Sequence, residues 1–309
     1  MPLPGYAHHL MLILVTMSLA CGAAAGGVTA GDKLTEAEEA AKSALKKALT
    51  FRASFDESLE ADFARGGRKL STRFNHETDK DKHVFEKGYD AKVFRVARGK
   101  GIHGGALEAL DVLPRNGRIF YPGLGNLAFR KGGWGGAVSV WVNTDPDKLF
   151  KTKFCDPVQI TQKGALNGGI WFDFNDAKPR HLRHGAFPAV KPNEKALSED
   201  DADAPMVRVP KPGFKQGKWH HVVLSWKNFD TSSKNTSAKD AVSAMYIDGK
   251  LIGEVKDRAI AMGWDLERTG IYVAVNYIGL LDELSVFDRP LTMTEVTALW
   301  KRPGLLSEP

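Results

Sequence analysis

The sequence predicts an all-β protein, a sandwich or barrel of antiparallel strands preceded by one short helix. Three observations predict it. From residue 51 onward apolar residues alternate with a period of two in short runs, clusters of Gly, Pro, Asn and Asp separate the runs, and no helical periodicity intervenes between them. Alternating runs bounded by turn residues are strands, and the missing helices exclude a parallel βαβ sheet.

Residues 10–20, LMLILVTMSLA, carry no charge but are too few to span a bilayer, which takes about 20 apolar residues. Small residues follow, and Ala23-Ala24-Ala25 presents an A-x-A-like cleavage site, so residues 1–25 read as a secretory signal peptide. Leu19-Ala20-Cys21-Gly22 also resembles the end of a bacterial lipobox. A lipid on Cys21 is therefore the alternative to soluble export, and the one route by which this chain would meet a membrane. Residues 26–50 form a leader segment with a short helix. Leu34, Ala37, Ala41, Leu45 and Leu49 recur at helical spacing, Thr35 and Glu38 form a capping box, and acids precede bases along the helix dipole.

The strand-like runs are 50–55, 91–96, 117–121, 137–143, 170–174, 184–187, 219–226, 244–247, 271–275 and 284–287. In 137–142 the valines share one face, and Ser139 and Trp141 share the other. Run 219–226 is apolar on both faces, as a central strand covered on both sides would be. Asp248-Gly249 between two runs predicts a primed two-residue hairpin turn. Residues 75–83, 191–205 and 230–240 hold too few apolar side chains to offset ordering and read as exposed loops. The last contains Asn235-Thr236-Ser237, a formal glycosylation acceptor. Thr292 and Glu295 form a second capping box for a short C-terminal helix, and residues 301–309 are a tail.

Forty-three Lys and Arg against 37 Asp and Glu give a net charge of +6, scattered rather than gathered into a stripe with aromatics. Nucleic acid is therefore not an expected partner. Loss of Cys21 with the signal leaves Cys155 alone, so the mature core has no internal disulfide and Cys155 reads as a buried, inert thiol.

Gly217-Lys218-Trp219-His220-His221-Val222-Val223-Leu224-Ser225-Trp226, then Tyr246-Ile247-Asp248-Gly249-Lys250, then Gly279 to Thr292 (GLLDELSVFDRPLT) resemble, in order and spacing, the LamG-like domains of the concanavalin A-like lectin/glucanase superfamily. Phe55-Asp56-Glu57-Ser58-Leu59 resembles the opening strand of that family, with Glu57 where Gly is usual. Residues 121–129 and 154–157 are similar to a subgroup common in exported bacterial proteins, especially of planctomycetes. The resemblance covers residues 51–300 and implies a jelly-roll sandwich of two antiparallel sheets. It leaves function open, because the superfamily includes sugar-binding and protein-binding modules, glycosidases and lyases.

Candidate chemistry is sparse. Asp282-Glu283 are strand neighbours that alternation sends to opposite faces, so they read as structural acids rather than a catalytic pair. Asp173, Asn175 and Asp176 end a run and offer oxygen ligands for calcium, a cation that LamG-like modules often carry. His181/His184 and His220/His221 lack the spacing and thiolate support of a zinc site and read as hydrogen-bonding histidines. No G-x-S-x-G elbow is present, and the glycine-rich stretches 99–105 and 132–136 read as turns. Trp134, inside the second, is the aromatic candidate for stacking on a sugar. Trp141 and His221 complete the ligand-contacting set. The expected role is noncatalytic, exported recognition of a polysaccharide or a cell-surface protein. A glycoside hydrolase or polysaccharide lyase of the same superfamily and a structural envelope protein are the alternatives.

Overall fold

The computed structural model describes residues 35–79, 82–230 and 240–308. The signal segment, Cys21, Leu34 and Asn235 lie outside the described residues. Residues from Glu36 onward form one compact unit. Helix α1 (Glu36–Ala48) runs directly into β1 (Leu49–Ala53), followed by β2 (Phe63–Ala64), β3 (Ser71–Asn75), β4 (His83–Lys87), β5 (Phe94–Val96) and β6 (Leu107–Ala109). Next come β7 (Arg118–Pro122), β8 (Trp134–Asn143), the short α2 (Pro146–Leu149), β9 (Cys155–Gly164), β10 (Asn167–Phe174), β11 (Leu182–Phe187) and β12 (Met206–Val209). The chain closes with β13 (His220–Phe229), β14 (Ala241–Ile247), β15 (Lys250–Arg258), β16 (Gly270–Val275), β17 (Gly279–Phe287) and α3 (Met293–Lys301).

The strands form two sheets. One runs β15-β14-β13-β8-β17-β1-β2, with β6 and β5 added beside β17; the other runs β12-β11-β10-β9-β16-β7-β3-β4. Every pairing of named strands is antiparallel. Neighbours in each sheet are often distant in sequence, because the chain crosses repeatedly between layers. This is the all-β sandwich that the alternation predicts.

One core lies between the layers. Val138, Val140 and Val142 of β8 and Val222, Leu224 and Trp226 of β13 meet Ile170, Phe172 and Phe174 of β10 and Ile271 and Val273 of β16. Cys155 is buried and free, with burial pushing its thiol up to about 11, so it is no nucleophile at neutral pH. The outer face of the first sheet is also covered. Ser139, Trp141 and His221 lie beneath Leu299 of α3 and Leu305 of the tail, and the amide of Leu291 donates to Ser225 Oγ at 3.0 Å. Helix α1 packs on α3, and Arg289 donates to the Ala44 carbonyl at 3.2 Å.

The Asp248-Gly249 turn has φ of 49° and 75°, both left-handed, as a primed hairpin requires. One expected loop contains more structure than the sequence suggested, and another is bounded by paired strands. Residues 75 and 83, the ends of the expected loop 75–83, pair as the last step of the antiparallel β3–β4 ladder. Leu197 and Ala204 of stretch 191–205 pack on Trp171 and Phe187, forming a small second core on the outer face of the second sheet. The alternation argument for Asp282 and Glu283 also fails. Glu283 has φ of 51° at a register shift between Asp282 and Ser285, and both carboxylates turn toward His103.

Phe172 is fully buried between the layers. Phe172→Ala is expected to lower unfolding free energy by about 3–5 kcal/mol, measured as a fall in the urea midpoint at unchanged slope. An unshifted midpoint would mean that the layers do not close over this ring.

Candidate functional site

The three aromatic and histidine candidates are buried away from any open surface. Trp134 is 3% exposed and packs among Phe129, Trp226 and Trp264 at centroid distances of 5.4–5.5 Å. Its Nε1 donates to Asp230 Oδ2 at 3.1 Å. It fills the core at the sheet end and presents no face to a sugar, which corrects the reading from its glycine-rich surroundings. Trp141 and His221 face the outside of the first sheet, their rings 5.0 Å apart, but α3 and the tail cover them. His221 Nε2 lies 2.8 Å from Ser139 Oγ, yet no general-base pair results. The pair is buried, and His221 Nδ1 has no partner to orient the ring.

The proposed calcium ligands do not converge. Strand alternation stops at Phe174, so Asn175 no longer shares a face with Asp173. Asn175 Oδ1 accepts the amides of Ala177 and His181 at 3.2 and 3.0 Å, closing its own turn. Asp176 is exposed, and Asp173 accepts two bonds from Arg183. Among the described residues, a metal-like set of donors occurs instead at Asp56, His103 and Glu283, whose ligand atoms lie within 4.8 Å of one another. There Arg52 already neutralises Glu283 with bonds of 2.9–3.2 Å.

An open surface with convergent polar groups lies elsewhere, on the outer face of the second sheet. Its side chains are fixed by alternation: inward Phe74, Ile119, Val273, Val158 and Phe172 reach the core, and their strand neighbours point outward. Register places Trp171 opposite Gln159, Gln159 opposite Tyr272, and Tyr272 opposite Phe120 in one row across four strands. Beside that row Arg73 stands opposite Arg118, and Asp173 opposite Arg183. A bulge where Phe174 pairs with Cys155 lets Asp156 join this face. Gly185 makes room for Trp171, since a Cβ there would come within 2.3 Å of the indole.

The result is a cleft of about 490 Å³ with Arg73, Arg118, Asp156, Gln159 and Asp173 on its floor. Asn75 and His83 of the β3–β4 hairpin flank one side, and Phe154 (40% exposed) and Glu199 flank others. A second groove of about 500 Å³, around Leu59, Arg68 and Tyr89, has no comparable set of buried charges.

The cleft floor is electrostatically divided. Arg183 is held by Asp173 (Nε–Oδ1 2.9 Å) and by Glu199 (Nη1–Oε2 2.5 Å), which keep its guanidinium firmly charged. Among the described residues Asp156 has no such partner. Burial, and next the charge of Asp173, push its carboxyl well above the usual carboxylate range. Burial also lowers Arg118, with neighbouring Arg73 adding to the effect. The sequence held a signal for this site in residues 158–161, where Val158 and Ile160 alternate with Gln159 and Thr161, and in 71–75, where Arg73 alternates with Thr72 and Phe74.

No protein-family model matches the chain, and no curated protein matches it. Solved structures do. The chain is similar to domain 4 of AbnA, a GH43 extracellular arabinanase from Geobacillus stearothermophilus, in complex with arabinotriose. That match has a TM-score of 0.47 and 18% identity, covering 82% of this chain and 98% of that one. It is similar to the botulinum neurotoxin serotype D ligand binding domain in complex with N-acetylneuraminic acid, with a TM-score of 0.48 and 11% identity, over 84% of this chain and 52% of that one. It is also similar to an endo-β-1,4-glucuronan lyase from the fungus Trichoderma reesei, with a TM-score of 0.40 and 15% identity, over 63% and 86%. At such identities and TM-scores no activity passes from those proteins to this chain.

His221 gives a pH test of the covered face. Burial pulls its imidazole down to about 3, below the ordinary 6.5, so its folded form stays neutral where the unfolded form takes a proton. Stability from this group is complete above pH 6.5 and is lost as pH falls toward 3. The stability of the natural protein relative to His221→Gln is expected to fall by about 3 kcal/mol between pH 7 and 4, read by urea unfolding at each pH. Parallel pH profiles for the two proteins would place His221 in solvent.

Proposed function

We propose that the chain is an exported, noncatalytic carbohydrate-recognition module that binds its glycan in the cleft on the outer face of the second sheet. The observation that carries this reading is the cleft floor. Five polar or charged side chains from strands of one sheet converge there, with Phe154 exposed at the rim. A sugar presents hydroxyls in fixed directions and apolar C–H faces, and fixed donors and acceptors beside an aromatic ring recognise both. Residues 1–25 support export, and the segments at 217–226, 246–250 and 279–292 support kinship with LamG-like modules. The absence of catalysis rests on Asp173. Arg183 engages both of its oxygens, so it is not available to act as the second carboxylate of a glycosidase.

A specific observation favours a second reading. Asp156 is a buried carboxyl, kept toward its neutral form on the cleft floor, the environment in which carboxyl groups serve as general acids. A hydrolase or lyase would use it to protonate a leaving oxygen. A cell-surface protein is the other partner that a recognition module of this kind would take.

Both alternatives are decided by one experiment, a glycan array run beside a polysaccharide-release assay. Retention of a glycan without product is the expected outcome, and Phe154→Ala is expected to weaken that retention about 3- to 10-fold. Product release abolished by Asp156→Asn would establish the enzyme. Failure of every glycan together with specific capture of a surface protein would establish the protein partner.

A further inference from the structure

Arg73 and Arg118 stand directly opposite each other on β3 and β7, an arrangement that like charges disfavour. Arg73 is 4% exposed, and the Nε atoms of both residues are buried without a hydrogen-bond partner. Among the described residues neither guanidinium is paired with a carboxylate. Arg73 Nη1 donates to the Tyr272 hydroxyl at 3.2 Å, and its Cζ lies 4.9 Å from the centre of that ring. Arg118 donates to Gln159 Oε1 at 3.0 Å and to Asn116 Oδ1 at 3.3 Å. All of these partners are neutral. The other floor cation, Arg183, already has two carboxylates. Asp156, the acid whose field reaches Arg118, is held toward its neutral form by burial. Lys153 and Lys163 stand exposed at the rim and add to the positive field.

From this pairing we infer that the cleft takes an acidic glycan, a uronate-type sugar whose carboxylate is received between Arg73 and Arg118. The inference rests on the reading of the cleft as a glycan site and adds the class of glycan. Two cations held in a desolvated floor with neutral partners leave a charge that an incoming carboxylate meets through planar, two-pronged hydrogen bonds. A neutral sugar leaves that charge unmet. Discrimination between the acid and its neutral ester is therefore large, as it is wherever a mismatched ligand leaves buried polar groups unpaired. Tyr272, Gln159 and Asn116 act as positioning residues, because they hold the two guanidiniums in place without offering them a counter-charge.

The test is calorimetric titration of the whole exported protein with oligogalacturonate and alginate oligomers, the methyl esters of both, neutral galactan oligomers and dextran sulfate. Acid oligomers are expected to bind about 100-fold more tightly than their esters. Arg118→Gln and Arg73→Lys are each expected to bring that ratio down to about 10 or less, while circular dichroism and melting temperature confirm that the variants fold. Equal affinity for acid and ester, with Phe154→Ala weakening both, would overturn the carboxylate while leaving the glycan cleft in place. Dextran sulfate binding as tightly as the uronates would overturn it in favour of a general anion surface. If no glycan binds, neutral or acidic, the cleft reading falls and takes this inference with it. The comparison of acid with ester needs only the natural protein, so it stands even where a variant fails to fold.

Discussion

The period-two alternation of the second sheet is the constraint on which the rest of the molecule depends. Each strand must send one set of side chains into the space between the layers, where Phe172, Phe74, Ile119 and Val273 are closed off from water. The opposite set is then positioned by the backbone rather than by its own packing. Arg118 points outward because Ile119 points inward, and Gln159 points outward because Val158 and Ile160 do not. A one-residue slip in β3 would send Arg73 between the layers and expose Phe74, and a slip in β7 would do the same to Arg118 and Ile119. The chemistry of the cleft is thus held in place by the hydrophobic effect acting on residues that never touch it.

The same sheet treats its cations in two different ways, and the difference carries the functional argument. Arg183 has two carboxylates within hydrogen-bond distance, forms a closed ionic unit, and ties Glu199 of the 191–205 loop to the strand face. That unit is structural, since its charges meet one another and the loop is pinned through it. Arg73 and Arg118 are given a phenol and two amides. Burying a charge against neutral partners is costly unless something of opposite charge arrives. A fold under no demand for binding would have no use for a second guanidinium opposite the first.

The sheet architecture was legible in the sequence where strands are strongly apolar. The valines of β8, the run from His220 to Trp226 and the Asp248-Gly249 turn all declare themselves. The cleft was far less legible, for a physical reason. β9 has Asp156-Pro157 just after its first residue, carries a bulge, and alternates Val158 and Ile160 with Gln159 and Thr161, so its mean polarity hides its periodicity. β3 has the same problem, with Arg73 and Asn75 diluting Phe74. Strands that build a polar site on one face look like loops when read by composition. Trp134 drew attention as a large aromatic among glycines and Trp141 as the aromatic on the face opposite the valines, yet large aromatics yield most energy when buried, and both are. Asp282 and Glu283 show the limit of alternation itself, since a left-handed residue at a bulge undoes it and nothing in the local residue types announces that conformation.

The two outer faces of the sandwich are not equivalent, and this asymmetry places the cleft. On the first sheet, α3 and the tail lie over Ser139, Trp141 and His221, leaving a void of about 10 Å³, too small for a ligand. The neutral His221 and the fully covered Val223 are what such a roof demands, because a charged imidazole could not be accommodated there. On the second sheet the 191–205 loop covers only the β10–β11 end, through Leu197 and Ala204 packing on Trp171 and Phe187. Beyond that end the cleft lies over β9, β7 and β3, and Arg73 and Arg118 line it without a carboxylate partner among the described residues. A face left uncovered costs a sandwich the burial it could have gained. The uncovered strip also holds the cations with neutral partners, which is why the proposed glycan, rather than the chain, is the group that would cover it.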